Sequence, residues 1–306
     1  MDKNQKLGLI FNELAKELNI SKTDYDRAVT SYTALGKFMK EHNNDWDIKI
    51  YPQGSFELGT VVKPITEEDQ YDVDLIVEIK VPSFTAEDLR IAIINLLESY
   101  GRYKEKVEEK KPCLRISYAE SAQFHMDIAC ARPIRNGSSN NIIEISRKGQ
   151  YGYYYENSNP LGYIDWFKNA MRFHQIVNYQ KKIIFEKGET EIEPLTLQNI
   201  KTPLQKAIQI LKRHRDIVFK DDLENRPSSI IITTLCAMAY NGNGRFKFIT
   251  ESFNNNDENN NIYLIIKEML SRVTSFITIN QNLEYELKNP SLKEENFLKK
   301  WNTNPL

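Results

Sequence analysis

Residues 71–79 read YDVDLIVEI. Val73, Leu75, Val77 and Ile79 alternate with other side chains, the period of a strand that buries one face. The same period puts Asp72 and Asp74 together on the opposite face, about 6–7 Å apart along the strand. Two carboxylates so placed are spaced to share divalent cations. Without a cation they repel: at an effective dielectric of 20, charges about 5 Å apart cost roughly 3 kcal/mol, less where solvent screens them. The plain alternative for an isolated DxD is a solvated strand end.

Working outward, Asp47–Tyr51 is a short strand candidate followed by the breaker cluster PQGS at 52–55. Further on, Cys113–Tyr118 and Gln123–Ala129 read as strands joined by Ala119–Ala122, short enough for an antiparallel hairpin. Asp127, in FHMDIA, sits between Met126 and Ile128. Aspartate is disfavoured inside strands, and a buried carboxylate needs a partner or a metal. Arg115, across the hairpin, could be that partner. His125 shares the face of Asp127, and a strand-edge hydrogen bond accounts for it.

Helical spacing surrounds these strands. Leu7, Ile10, Phe11, Leu14 and Leu18 form one expected buried stripe, and Tyr25, Val29, Tyr32, Leu35 and Met39 a second, opened by Ser21 and Asp24. Residues 87–100 return to helical spacing. In the second half, Ile164–Phe185 reads as one long helix after Asn159-Pro160. Thr202-Pro203 caps a helix reaching about Phe219. Ser228–Tyr240 is the most apolar stretch and reads as a buried helix, with 262–277 and 291–301 as further helices. NNNDENNN at 254–261 is a low-complexity loop. The lobe boundary is expected near 160–165, dividing 1–163 from 164–306.

Composition narrows the class. The 306 residues carry 41 Lys+Arg and 42 Asp+Glu, a formal charge of −1, which argues against a protein built to coat nucleic acid. Cys113, Cys130 and Cys236 form no CxxC pair, so a reducing cytoplasm is the expectation and a zinc ribbon is excluded. The N-terminus reads as neither signal peptide nor membrane span, and no run of about 18 apolar residues occurs.

Strand, Gly54-Ser55 turn, DxD on a strand, then a third aspartate on a later strand: in this order the sequence resembles the DNA polymerase-beta-like nucleotidyltransferases. It is most similar to the bacterial cGAS/DncV-like nucleotidyltransferases (CD-NTases). The motifs are QGSFELGTVVKP (53–64), YDVDLIVEI (71–79), HMDIA (125–129), LQKAIQILKRHRDIVF (204–219) and RPSSIIITTLCAMAY (226–240). The resemblance implies an α+β, bilobal fold with a small mixed sheet in the N-lobe and a helical C-lobe. It implies that Asp72, Asp74 and Asp127 hold two magnesium ions (manganese being the other candidate) and carry catalysis. It further implies that Gly54 and Ser55, flanked by Gln53 and Lys63, grip the triphosphate, with Lys212 and Ser229 as C-lobe contacts. The plain alternatives are a surface turn, a solvated helix face and a serine N-cap.

The implied activity is synthesis of a cyclic di- or trinucleotide from ATP, alone or with a second nucleoside triphosphate, in CBASS-type antiphage defence, with a separate effector protein activated by the product. Mixed charge on the N-terminal helices gives the expectation of no nucleic-acid activator. Nucleotide addition to RNA or protein, or a nucleotide-binding pseudoenzyme, are the competing classes. The tyrosines at 151, 153–155 and 163 either stack on a base or pack the lobe interface.

Overall fold

The computed structural model describes all residues except 44–45, 67–68, 82, 119–123, 135–140, 172–200, 242–260 and 304–306. Helices α1 (Lys3–Glu17) and α2 (Lys22–Glu41) come first, then β1 (Ile48–Pro52), the single turn α3 (Gly54–Glu57) and β2 (Tyr71–Ile79). Helix α4 (Ala86–Glu98) precedes strands β3 (Val107–Glu109), β4 (Leu114–Ser117), β5 (Phe124–Pro133), β6 (Ile143–Gly149) and β7 (Gly152–Ser158). Helices α5 (Pro160–Ala170), α6 (Pro203–Val218), α7 (Ser229–Asn241) and α8 (Ile262–Leu270) follow. The expected hairpin loop 119–122 and most of the asparagine-rich stretch lie outside the described residues.

One seven-stranded mixed sheet runs β1-β2-β5-β4-β3, with β6 paired to β5 and β7 to β6. Strand β2 is antiparallel to β1 and parallel to β5, and β5 is antiparallel to β4. Val73, Leu75, Val77 and Ile79 are fully buried, packed with Tyr32, Leu35 and Met39 of α2 and Leu89, Ile93 and Leu97 of α4. Each such aliphatic side chain contributes about 1.5–3 kcal/mol by leaving water. This packing turns the other face of β2, with both aspartates, away from the core. A second cluster joins α5, α6, α7 and α8, and includes Ala15 and Leu18 from the first helix and its end.

Local chemistry sets the helix ends. Ser21 accepts from the Asp24 N–H, and Thr202 with Gln205 forms a capping box ahead of Pro203. The stripe expected on α1 is rotated: Ile10 is 60% and Leu14 39% exposed, while Gly8, Asn12 and Ala15 are buried. Gly8 is the reason. It lets α8 approach so closely that a Cβ there would meet the Asn261 side chain at 2.8 Å, and Asn261 Nδ2 donates to Asn4 O. On α6, Val218 is 58% exposed, whereas the polar Gln209 is buried and donates to Val61 O.

Three further expectations are corrected. The helix expected over 164–185 starts earlier, at Pro160 behind the Asn159 cap, and its described part ends at Ala170; residues 172–185 lie outside the described residues. The helix over 262–277 stops at Leu270 and continues after a break as a 3-10 turn, Val273–Phe276. Residues 291–301 are not one helix. After two short strands, β8 (Thr278–Ile279) and β9 (Tyr285–Glu286), β10 (Lys288–Asn289) pairs with β11 (Leu292–Asn296), and α9 (Lys299–Thr303) follows. Asn289 Oδ1 accepts from the Ser291 N–H, and Asn296 Oδ1 from the Leu287 and Leu298 N–H groups. Such side-chain bonds offer the backbone an alternative to the helix.

The sequence carries little signal for β3, β6 and β7, and Tyr153–Tyr155 belong to β7. Tyr153 donates to Glu109, and Tyr155 donates to Phe84 O beneath the Arg132 guanidinium, 3.7 Å from its ring. Both pack the sheet edge rather than the space between lobes; Tyr151 is 96% exposed. Tyr163 alone of the five lies in the helical cluster, its hydroxyl 2.8 Å from Thr234 Oγ1.

Candidate active site

Strand register assembles the site. In the parallel ladder Asp72 lies opposite His125 and Asp74 opposite Asp127, and in the antiparallel ladder Asp127 lies opposite Arg115. Paired positions share a face, so Asp72, Asp74, Asp127, His125 and Arg115 all project from the side of the sheet opposite the main core.

The Gly54 turn closes over this face. Gln53 N–H donates to Asp74 O at 2.9 Å, pinning the turn to β2. Gly54 has φ +64, and a Cβ there would stand 2.1 Å from Asp74 Oδ2. Glycine therefore answers two demands, a left-handed backbone and a carboxylate against it. Thr60 N–H donates to Ser55 O, and Lys212 Nζ donates to Thr60 O and Oγ1 at 3.2 and 3.1 Å. Lys212 thus reaches from α6 into the turn.

Ser55, Asp72, Lys212 and Ser229 line one cavity of about 440 Å³, together with Arg213, Arg215, Lys220 and Arg226. Arg215 Nη1 donates to Ser229 Oγ at 2.9 Å and to Pro227 O at 3.1 Å, fixing the start of α7. Gln53 and Gly54 face a second cavity of about 240 Å³, with Tyr163, Asn289, Glu295 and Phe297 among its walls. The three aspartates thus share one sheet face, with Gly54 against Asp74; Ser55, Lys63, Asp72, Lys212 and Ser229 line the first cavity, and Gln53 and Gly54 line the second.

Charge is crowded here. Burial, then the neighbouring charges of Asp72 and Asp127, push Asp74 up to about 7, against the opposing pull of Lys212 and Arg115. Burial also acts to raise Asp72, but the hydrogen bond and charge of His125, with Arg115, outweigh it and hold Asp72 below the ordinary carboxylate range. Arg115 Nε and Nη2 grip both oxygens of Asp127 at 2.7 Å. Burial and Arg215 push Lys212 down to about 8, against Asp74 and Asp216. Three carboxylates on one face, one of them costly to ionise, make an oxygen donor set that fits a divalent cation.

Sequence reasoning did not single out Arg215 or the full role of His125. Arg215 follows Lys212 by three residues, so helical spacing alone could have put both on one side. His125 donates from Nδ1 to Gln70 Oε1 at 2.8 Å and brings Nε2 to 2.5 Å from Asp72 Oδ1.

Residues 48–131 match the family model described as the nucleotidyltransferase domain of cyclic GMP-AMP synthase DncV-like proteins. Over 300 residues the chain is 29% identical to a c-di-GMP synthase of Roseivirga ehrenbergii, covering 96% of this chain and 72% of that one. It is 24% identical to the cyclic dinucleotide synthase CdnG of Bradyrhizobium diazoefficiens over 241 residues, 74% of this chain and 57% of that protein. The solved structure of that CD-NTase in complex with GTP superposes with a TM-score of 0.67 at 20% identity, covering 97% of this chain and 85% of that one. The α+β arrangement expected from the sequence is the arrangement found.

Proposed function

We propose that this chain, a member of the cGAS/DncV-like nucleotidyltransferases (CD-NTases), joins nucleoside triphosphates into a cyclic di- or trinucleotide. The observation that carries this is the convergence of Asp72, Asp74 and Asp127 on one sheet face beside the Gly54 turn. Magnesium or manganese, held by those aspartates, would neutralise triphosphate charge and lower the pKa of the attacking hydroxyl. Gly54, the first residue of α3, lets the backbone come close to the phosphates, and Ser55 follows it at the wall of the first cavity. Lys212, Arg215 and Ser229 meet the triphosphate from the C-lobe, with Gln53 and Lys63 at the margins of the turn. Arg115 holds Asp127 in a fixed rotamer, so catalysis is mainly positioning and charge stabilisation.

The proposed functional division remains 1–163 for the nucleotidyltransferase core and 164–306 for the helical lobe, with α1 resting on the latter. ATP and, from the names of the relatives, GTP are the first substrates to test. The proposed setting is CBASS-type antiphage defence in the cytoplasm, the product acting on a separate effector protein. No nucleic-acid activator is proposed: on α1 and α2, Lys16, Lys22, Arg27 and Lys37 pair with Glu13, Asp26, Asp24 and Glu41. Among the described residues no helix is long and apolar enough to cross a membrane.

The test is incubation with each labelled nucleoside triphosphate and Mg²⁺ or Mn²⁺, followed by mass spectrometry. A small, phosphatase-resistant nucleotide that disappears in Asp72→Asn/Asp74→Asn is the expected result. Label in RNA or protein, or no product from any mixture, overturns it.

A further inference from the structure

A positive centre already sits between two of the aspartates. Arg115 Nη2 lies 3.1 Å from Asp72 Oδ1 and 2.7 Å from Asp127 Oδ2, bridging them as a cation would. His125 borders the same point. Its side chain is 14% exposed, and its Nδ1 donates to Gln70 Oε1 at 2.8 Å, which fixes the ring plane and commits that nitrogen. The other nitrogen, Nε2, is in hydrogen-bond contact with Asp72 Oδ1 at 2.5 Å, a contact that an ion bound between the two would replace. One ligand atom each from Asp72, His125 and Asp127 lies within 4.8 Å of the other two, close to the span of two metal–ligand bonds.

This arrangement is more than a carboxylate cluster. A ligating histidine characteristically donates its second ring N–H to an oxygen, which orients the ring and leaves the ligating nitrogen facing the ion. Gln70 does this here, from the segment just before β2. Asp74 is outside the group of three and packs its Oδ2 under Gly54 instead.

We propose that His125 Nε2 is a ligand of the divalent ion held by Asp72 and Asp127, giving this site a nitrogen donor that selects Mn²⁺ over Mg²⁺. Magnesium is a hard ion that demands near-ideal octahedral geometry and sheds water reluctantly, whereas Mn²⁺ takes the same carboxylates and, as a first-row transition ion, accepts an imidazole beside them more readily. Arg115 Nη2 yields its place when the ion enters and keeps its Nε bond to Asp127. Gln70 is a positioning residue for the ring. The assignment rests on the proposed nucleotidyltransferase site in one respect, that Asp72 and Asp127 are metal-holding carboxylates.

The test needs no nucleotide and uses the 306-residue chain. Mn²⁺ is added at one equivalent, and pulsed electron paramagnetic resonance reads ¹⁴N coupling to the ion. Coupling of the strength of directly bound imidazole is expected in the wild type and its loss in His125→Gln. Mn²⁺ titration in competition with Mg²⁺ should show the Mn²⁺ preference falling at least about tenfold in the same variant. His125→Asp serves if the glutamine variant does not fold: it should bind the ion through oxygen alone, without ¹⁴N coupling. Absence of ¹⁴N coupling in the wild type, or its persistence without His125, overturns the assignment. Nucleotide product analysis reports separately on the activity, so either can fail while the other stands.

Discussion

Asp74→Asn should make the metal-free protein more stable at pH 8 while abolishing turnover. In the folded chain Asp74 is pushed up to about 7 by burial and by Asp72 and Asp127, against an unfolded value near 4. Between those values the folded state holds a proton that the unfolded state has released, so stability falls as pH rises from about 4 through 7. Each pH unit of that interval is worth about 1.4 kcal/mol, so the ionised carboxylate costs the folded state about 4 kcal/mol at pH 8. Asparagine keeps the shape and removes the charge. Lys212 loses an attractive neighbour in the variant, so about 4 kcal/mol is a ceiling on the gain. The assay is thermal or urea unfolding of both proteins in EDTA at pH 5 and pH 8. A gain at pH 8 that shrinks toward zero at pH 5 is expected, a Tm rise of several degrees at the higher pH. Mg²⁺ or Mn²⁺ should stabilise the wild type more than the variant, which keeps Asp72, His125 and Asp127 but lacks one carboxylate. A variant that is less stable at pH 8, or a difference that does not change with pH, refutes the account of three crowded carboxylates.

Gly54→Ala should cost both stability and at least about a hundredfold in kcat, since the new Cβ would stand 2.1 Å from Asp74 Oδ2 at φ +64; steady-state kinetics and a melting curve check this. Triphosphate binding should weaken as pH rises through about 8, because Lys212, pushed down to that value, gives up the proton that attracts phosphate. Calorimetric titration of a non-hydrolysable nucleotide from pH 6 to 9 should show the loss, and Lys212→Met should flatten it. Arg215→Met removes the donor to Ser229 and Pro227 and should raise KM more than it lowers kcat. Phe167→Ala, in the core of the helical cluster, should cost about 3–5 kcal/mol of stability in denaturant unfolding.

The parts of this molecule governed by a short period were legible from residues alone. Alternation in YDVDLIVEI placed Val73 and Leu75 inward and both aspartates outward, as found. Thr202-Pro203 and Ser21 marked helix starts through chemistry confined to a few positions. Arg115 and Asp127 were matched because a hairpin obeys a fixed register. What escaped depends on distant partners. The α1 stripe differs from expectation because Gly8 is buried by the close approach of α8, which no pattern within α1 records. Residues 291–301 carry helical spacing, yet Asn289 and Asn296 tie the backbone into a hairpin. Strand β6 alternates only briefly, through Ile143 and Ile145, and with β7 it holds its charged and tyrosine residues by cross-strand bonds such as Arg147–Glu156, so the apolar signal is short. The positions of Arg215 and His125 at the site needed the folded geometry.

Strands β2 and β5 lie side by side in the same direction, although residues 80–123 separate them in the chain. Their hydrogen bonds work as a graduated rule. A slip of one notch would turn residue 127 inward among the aliphatics, and a slip of two would keep its direction but carry it about 6–7 Å away. The intervening stretch can therefore lengthen, shorten or change its outer surface without recalibrating the catalytic spacing, so long as both ends return to the same notch.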